Sequence, residues 1–428
     1  MALFGAPVAH EDHALRACYA ALAMQEDMRR YSTTALGSHQ IRIGVGLNSG
    51  EVVVRSITND LNVDYSAIGP ATHLAARMEE MAPPDSTLMT RMSLREVEDL
   101  VQVEFLGDLT IKGFSIPVAT YKLTGVTSFR KRLHAAAARG LTGFVGRNSE
   151  IEIFNQVLQQ VKSGHGQILA LLGEPGMGKS RLVYEFTRSY LPAEWTVLEG
   201  ISASYGKATP YYPLIELFRR YLQIREGESD EAIRTKVEDY LVNLDGRLTD
   251  AIPPVLALLG ALPDHKKNGI ADSTLAGSEN LDITRAVKKF HDLEPRQRRR
   301  ATLEALKRIV IRESLKQPLI LLMEDLHWID GETQAFLGGL VESLPMARIM
   351  LLVNYRPGYI HSWGDKTYYS LIRVDPLPSD GAHELLQLLL GSREDLAALK
   401  ELLINRTEGN PFFLEEGVRS LVETGALE

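Results

Sequence analysis

The sequence predicts an α/β chain of more than one domain: a small α+β front, then a parallel-sheet body that closes in helices. Three observations carry that prediction. The chain has 428 residues, a length usually divided among two or three domains. From Leu141 onward, continuous apolar runs such as "GQILALL", "QPLILLM" and "ARIMLLVNY" alternate with helical stretches. That is the pattern of strands buried on both faces of a parallel sheet. Ahead of that point the β-rich runs are shorter and glycine-punctuated, as in a small α+β fold.

Met1 to Phe4 is a short apolar run, and Gly5 and Pro7 make a turn. Residues 10–31 predict a helix, with acids in its first turn and arginines in its last, as the helix dipole favours. "HQIRIGVGLNSGEVVVRSI" predicts two strands paired as a hairpin around "NSG". "VDYSAIG" predicts a short strand, and "PATHLAARMEEMA" a helix with proline in its first turn. "VEFLGDLTIKGFSIPVATYKLTG" predicts two more strands. Residues 1–125 are thus the front domain and 126–140 a basic, alanine-rich linker. The sheet body takes 141–376, and an all-helical end takes 377–428. The polar segment 264–283 predicts a loop.

A hydrophobic fraction of 45% and a charged fraction of 24% are ordinary for a chain that buries real cores. A net charge of -8 argues against broad binding to nucleic acid or anionic membrane. Within it, "RQRRR" (Arg296 to Arg300) precedes an amphipathic helix and reads as a solvated helix start. Cys18 is the only cysteine, so no intrachain disulfide forms and a reducing compartment is expected. The longest apolar stretch, Ile252 to Leu262, falls far short of the roughly 20 residues that cross a bilayer. No basic region follows Met1 as in a secretory signal. The expected setting is cytoplasmic.

The chemistry concentrates in "GEPGMGKS", which fits G-x-x-x-x-G-K-S from Gly173 to Ser180. The glycines let backbone N–H groups of Gly173, Glu174, Pro175's neighbours, Gly176, Met177 and Gly178 turn inward around phosphate oxygens. Lys179 reaches the outer phosphates, and the Ser180 hydroxyl suits Mg²⁺. A helix opening near Lys179 and Arg181 points its positive end at the anion. The octet follows an apolar strand and precedes a helix, which is the context the mechanism needs. "LILLMEDLHWID" then puts Glu324 and Asp325 at the C-terminal end of a buried strand, where parallel sheets bind ligands. One acid holds the Mg²⁺ shell and the other orients or deprotonates the attacking water; the sequence leaves open which. Arg356 follows another strand and is a candidate γ-phosphate sensor.

"GFVGR", "GEPGMGKSRL", "LMEDLHWID", "NYRP" and "EGNPFFLEE", in that order, resemble the signal-transduction ATPases with numerous domains, relatives of the AAA ATPases. The resemblance covers residues 141–428. It implies that Val145, Gly146 and Arg147 help hold adenine, and that Gly409 and Pro411 belong to a helical lid that reads the nucleotide state. It also implies that ATP binding switches the chain towards assembly and hydrolysis resets it.

"IRIGVGLNSGEVVV", "DYSAIGPATHLAARMEEMAPP" and "LTIKGFSIPVATYKL" resemble the class III nucleotidyl cyclase domain, an α+β fold of ferredoxin-like type. The resemblance covers 1–123 and only the later part of that domain. It implies that Ser66 faces the adenine edge, Arg77 stabilises the transition-state charge and Lys112 binds phosphate. His73 stands where the family has asparagine, one turn before Arg77. Gly69-Pro70 replaces the family's Gly-Asn or Gly-Asp. The two metal-binding aspartates would precede Met1, which the resemblance places mid-domain, and Glu11 and Asp12 are no substitute. Loss of that first strand and hairpin is expected to expose a sheet edge and favour association. "GVGLNSG" has dinucleotide-like glycines, but it joins two strands.

The expected protein is an ATP-dependent switch using Mg²⁺, carrying an inactive cyclase remnant and self-associating through both parts. Neither a membrane nor nucleic acid is an expected partner. The alternatives are an active adenylate cyclase, converting ATP to cyclic AMP and pyrophosphate when the first half is present or is supplied by a partner chain, and a scaffold that binds ATP without turnover.

Overall fold

A computed structural model describes the chain apart from residues 6–12, 35–40, 51, 60–61, 99, 113, 115–116, 127–140, 203–209, 226, 264–280, 424 and 428. The side chains of 54–68 and of a few other positions also lie outside the description. The linker, most of the polar segment and the first residues of the expected opening helix therefore fall outside it. The chain divides into two units, Met1–Thr142 and Gly143–Glu428.

In the first unit, helix α1 (His13–Thr34) runs past the expected end at Tyr31, because no glycine or proline interrupts it before Gly37. Strands β1 (Gly44–Leu47), β4 (Ser86–Thr90), β5 (Val101–Leu109) and β6 (Val118–Val126) form one sheet in the order β1-β4-β6-β5. Among the described residues, β2 (Val53–Asn59) and β3 (Asn62–Ile68) pair only with each other. The expected hairpin around "NSG" is thus corrected. β1 pairs parallel with β4, and β2 pairs antiparallel with β3. The β2–β3 register runs to the pair Asn59 and Asn62.

β1 reaches β4 because α2 (Pro70–Met81) crosses directly over it. A Cβ built on Gly46 would lie 2.2 Å from the Glu79 nitrogen and 2.3 Å from the Ala75 oxygen. The "GVG" run therefore serves a close strand–helix approach. Since both clashes are with helix backbone, Gly46→Ala is expected to destabilise this unit by about 1–3 kcal/mol, the usual cost of overpacking. Thermal melting of the purified variant checks this; an unchanged melt would mean that α2 shifts freely. Cys18 of α1 is buried with Met89, Leu94 and Val101, and burial pushes its thiol up to about 12, so it is inert at neutral pH.

The second unit holds a five-stranded, all-parallel sheet. Its strands are β7 (Gln167–Leu172), β8 (Thr196–Ile201), β9 (Leu319–Glu324), β10 (Ile349–Tyr355) and β11 (Tyr369–Arg373), in the order β11-β7-β10-β9-β8. Alternate residues feed opposite cores. Leu169, Leu171, Ile320, Leu322 and Leu352 pack against Phe154, Val157 and Val161 of α4 (Asn148–Lys162). Ile168, Ala170, Leu321, Met323 and Val353 face the other helical layer. That layer includes Leu281–His291, so the last three residues of the predicted loop at 264–283 are helical instead. Ile283, Val287 and Phe290 drive this, since they fall on one buried helical stripe. After β11 the chain is helical: α12 (Ser379–Leu390), α13 (Ala397–Thr407) and α14 (Pro411–Glu423). Between α4 and α12 come α5 (Lys179–Glu185), α6 (Tyr212–Tyr221), α7 (Asp230–Leu244), α8 (Ile252–Leu259), α9 (Leu281–His291), α10 (Pro295–Lys316) and α11 (Gly331–Val341). Among the described residues, no helix is long and apolar enough to cross a membrane.

Candidate functional site

β7 ends at Leu172, and the loop from Gly173 leads into α5 (Lys179–Glu185). Gly176 and Gly178 hold φ of +81° and +83°, the left-handed region that glycine adopts without strain. The loop begins beside β10, where the Gly173 N–H donates to the Tyr355 carbonyl at 3.4 Å. Lys179 is buried, and its Nζ donates to the carbonyls of Gly173 and Glu174, each at 2.8 Å. The ammonium is therefore folded back over the loop rather than extended into solvent. Ser180 follows in the first turn of α5, and Arg181 pairs with Glu185 along the helix at 2.8 Å.

Two further groups brace the same loop. Arg147, buried at the start of α4, donates to the Met177 carbonyl at 3.1 Å and to the Asp375 carbonyl at 2.6 Å. Its other nitrogen meets Glu150 at 2.9 Å. Burial works to raise the Glu150 carboxyl, but hydrogen bonds from Ser149 and Arg147 bring it below its ordinary value. Arg147 thus clips the loop to the end of β11. Val145 and Gly146 sit beside it: Val145 packs with Leu377, Ala382 and Leu385, and Gly146 abuts Leu377 and Gly381.

The second brace comes from the helical end. Gly409, at φ +74°, lies so close to Leu377 that a Cβ would sit 2.6 Å from its carbonyl oxygen. This turn delivers Asn410, Pro411 and Phe412 onto the loop. Asn410 Nδ2 donates to the Pro175 carbonyl at 3.2 Å, and the Phe412 N–H donates to the Gly176 carbonyl at 3.4 Å. A Cβ on Gly176 would lie 2.7 Å from Asn410 Oδ1. The helical end and the loop are in direct contact, and Gly176 is the residue that permits it.

Glu324 closes β9 with its side chain buried, and Asp325 follows at φ 56° and ψ 48°. Both are fixed by Asn354 of β10. Asn354 Nδ2 donates to Glu324 Oε1 at 3.2 Å, and Asn354 Oδ1 accepts the Asp325 N–H at 2.8 Å. Asp330 in the same motif is structural. It caps α11 (Gly331–Val341), accepting from Glu332 and Thr333, and it also accepts the Tyr211 N–H.

Residues 143–353 match the family model of the AAA ATPase domain, and residues 1–125 match that of the adenylate and guanylate cyclase catalytic domain. The chain is a cyclase–AAA ATPase fusion. It is 24% identical over 97% of its length to an uncharacterized protein of Rhizobium meliloti, of which it covers 38%. It is 31% identical over 29% of its length to Adenylate cyclase 1 of the same organism, covering 19% of that protein. The chain thus spans well under half the length of both curated relatives. The crystal structure of the guanylyl cyclase Cya2 is 31% identical with a TM-score of 0.28, covering 29% of this chain and 64% of that one.

In the second unit, the sequence singled out Gly173 to Arg181, Glu324, Asp325, Arg356, Val145 to Arg147, Gly409 and Pro411. The structure gathers the loop, Arg147 and the Gly409–Pro411 turn into direct contact, with Arg356 following the strand that flanks the loop. Sequence reasoning missed Asn354 and Asn410. Asn354 had a signal: it is a lone amide in the apolar run "IMLLVNY", fully buried. Asn410 had only its place between Gly409 and Pro411.

Arg356 is half-buried and opens a turn anchored by His361. The Trp363 N–H donates to His361 Nδ1 at 3.3 Å, and Nε2 lies 3.0 Å from the Tyr355 hydroxyl and 3.3 Å from that of Tyr369. Burial holds the His361 pKa below its ordinary value of 6.5. A lowered folded pKa makes the neutral form the stabilising one. Its contribution is complete above 6.5 and is lost as pH falls through 6.5 towards the folded value. Melting temperature is therefore expected to drop over that window, and His361→Gln to flatten the drop. Parallel pH–melting curves for the two proteins check this.

In the cyclase part, α2 carries His73 on its exposed side and Arg77 one turn on, paired with Glu80. Lys112 is exposed immediately after Ile111, which packs with Leu74 and Met78 of α2. Arg77 and Lys112 are thus the sequence neighbours of Met78 and Ile111, two residues of one small core. The side chain of Ser66 lies outside the described residues; its backbone pairs with Arg55 in β2. Among the described residues, no group of acids, histidines and cysteines is arranged to hold a metal alone.

Proposed function

We propose that this chain is an ATP-dependent signalling switch of the multi-domain signal-transduction ATPase type. Its AAA domain binds Mg-ATP and hydrolyses it slowly, and its cyclase part serves as a regulatory and dimerisation module. The observation that carries the reading is the convergence on one loop. Lys179, the Arg147 clip and the Asn410–Phe412 turn all hydrogen-bond the backbone of 173–177. A nucleotide whose phosphates lie in that loop exchanges the Lys179 carbonyl contacts for charged oxygens. It also meets the lid through Asn410 and Pro411, so binding and lid position are coupled.

Roles follow from position. Val145 and Gly146 offer an apolar edge for adenine between the loop and the lid, while Arg147 acts through the loop. The Ser180 hydroxyl and Glu324 carboxylate are hard oxygen donors, the set that suits Mg²⁺; they would hold it, and bound there it neutralises phosphate charge. Glu324, buried and tied to Asn354, is the fixed acid. Asp325, one residue on and half-exposed, is the acid that orients the attacking water. Water oxygen bonds the γ-phosphorus, the bond to the β–γ bridging oxygen breaks, and ADP and phosphate leave.

A second reading is an adenylate cyclase half-site. The placing of Arg77 and Lys112 beside Met78 and Ile111 of one core favours it, with a partner chain supplying the metal-binding aspartates. Separating the products of α-phosphate-labelled ATP distinguishes the two. ADP alone is the expected result for the purified chain. Cyclic AMP that persists in Lys179→Ala would overturn the reading of the cyclase part as a regulatory module only.

A further inference from the structure

The AAA unit carries one strongly basic corner that the nucleotide site does not use. Residues 285–300 hold seven lysines and arginines against two acids, in a chain whose net charge is -8. The structure folds this stretch as the end of α9 (Leu281–His291), a short turn and the start of α10 (Pro295–Lys316). Arg285, Lys288 and Lys289 lie on the exposed side of α9, opposite the buried Ile283, Val287 and Phe290. Arg296, Arg298, Arg299 and Arg300 are exposed in the opening turns of α10. Arg298 closes the turn by donating to the Leu293 carbonyl at 2.8 Å, and Arg299 pairs with Glu332. The other five make no ion pair among the described residues. Arg296 and Arg300 stand at a helix N-terminus, where cations oppose the helix dipole, so the fold gains nothing from these two there; Lys288 and Lys289 end α9, where the dipole favours them.

The opposite charge lies in the lid. Residues 377–428 carry ten acids against four lysines and arginines. Asp380 and Glu384 lie one turn apart on the exposed side of α12, followed by exposed Leu388; Glu401 and Leu402 are exposed on α13. Sheet order keeps the two surfaces apart. The lid follows β11 and rests on the loop after β7, whereas the basic corner is tied to Glu332 of α11, after β9. These belong to opposite sides of the order β11-β7-β10-β9-β8.

We infer that the basic α9–α10 corner of one copy docks on the acidic α12–α13 lid face of a second copy. Two different faces meeting in this way make a head-to-tail contact, which propagates to a ring or filament. The neighbour's arginines then lie on α12 and α13, and α13 runs directly into the Asn410–Phe412 turn that touches the phosphate loop, so assembly and nucleotide state report on each other. The inference goes beyond the switch reading, since the contact is defined by charge and place whether or not ATP is turned over.

The test is a charge-swap series on the full chain by sedimentation velocity, at low and high salt, with and without ATP. Wild type is expected to associate, and less so at high salt. Arg296→Glu/Arg300→Glu and, separately, Asp380→Lys/Glu384→Lys should each weaken association roughly tenfold. Combining the four should restore it. All four positions are exposed, and circular dichroism verifies that each variant folds. A monomeric wild type, or a combined variant no stronger than its parents, overturns the inference. So does a corner variant that loses only binding to a labelled DNA duplex, which would mark a nucleic-acid surface instead.

Discussion

The Lys179→Ala chain is expected to lose ATP turnover by roughly 10²–10³-fold, the scale on which removing one preorganised charge-stabilising donor acts. The side chain is buried and its ammonium is already held over the loop by two carbonyls at 2.8 Å. Its charge therefore already lies at the loop before substrate arrives, and it exchanges those two carbonyl contacts for phosphate oxygens. Alanine removes that charge and leaves the Gly173 and Glu174 carbonyls facing the incoming phosphates. The loop itself should survive. Arg147 still holds the Met177 carbonyl, and Asn410 still holds that of Pro175. The variant should melt close to wild type while nucleotide affinity and phosphate release both fall. Phosphate release with equilibrium dialysis of labelled ATP measures the two together. Undiminished release in the variant would place turnover outside this loop.

That expectation was legible because the phosphate loop is a local motif. Glycines, a lysine and a serine at fixed spacing, between a strand and a helix, specify the backbone they need. The parallel sheet was legible for a similar reason, since strands buried on both faces read as unbroken apolar runs. What the sequence hid is tertiary. Arg147 and Asp375 are far apart in the chain, yet one hydrogen bond joins them beside Met177. Asn410 meets Pro175 only because Gly409 lets the lid turn against Leu377. The hairpin misassignment has the same origin. "GVGL" and "VVRSITN" both read as strands, but α2 sits on Gly46 and commits β1 to β4. Strand propensity specifies that a segment extends and is silent about its partner.

Asp325→Asn is the sharper probe of chemistry, because the backbone limits which substitutions are informative. Asp325 holds φ 56° and ψ 48°, a left-handed conformation that asparagine tolerates and that alanine or a branched residue strains. Asparagine therefore keeps the turn, the volume and the N–H that donates to Asn354 Oδ1 at 2.8 Å. It removes only the negative charge and the capacity to take a proton. If Asp325 orients and deprotonates the attacking water, turnover should fall by roughly 10²–10⁴-fold, the range for a positioned base. Nucleotide affinity should hold, and ATP-bound chain should accumulate. Glu324→Gln should differ in kind. Its side chain keeps the approach of Asn354 but loses a charged oxygen donor, so it should raise the Mg²⁺ concentration needed for half-maximal turnover. Titrating Mg²⁺ at saturating ATP in both variants separates the roles. If Glu324→Gln lost turnover at every Mg²⁺ level while Asp325→Asn merely shifted the titration, the two acids would have to exchange places.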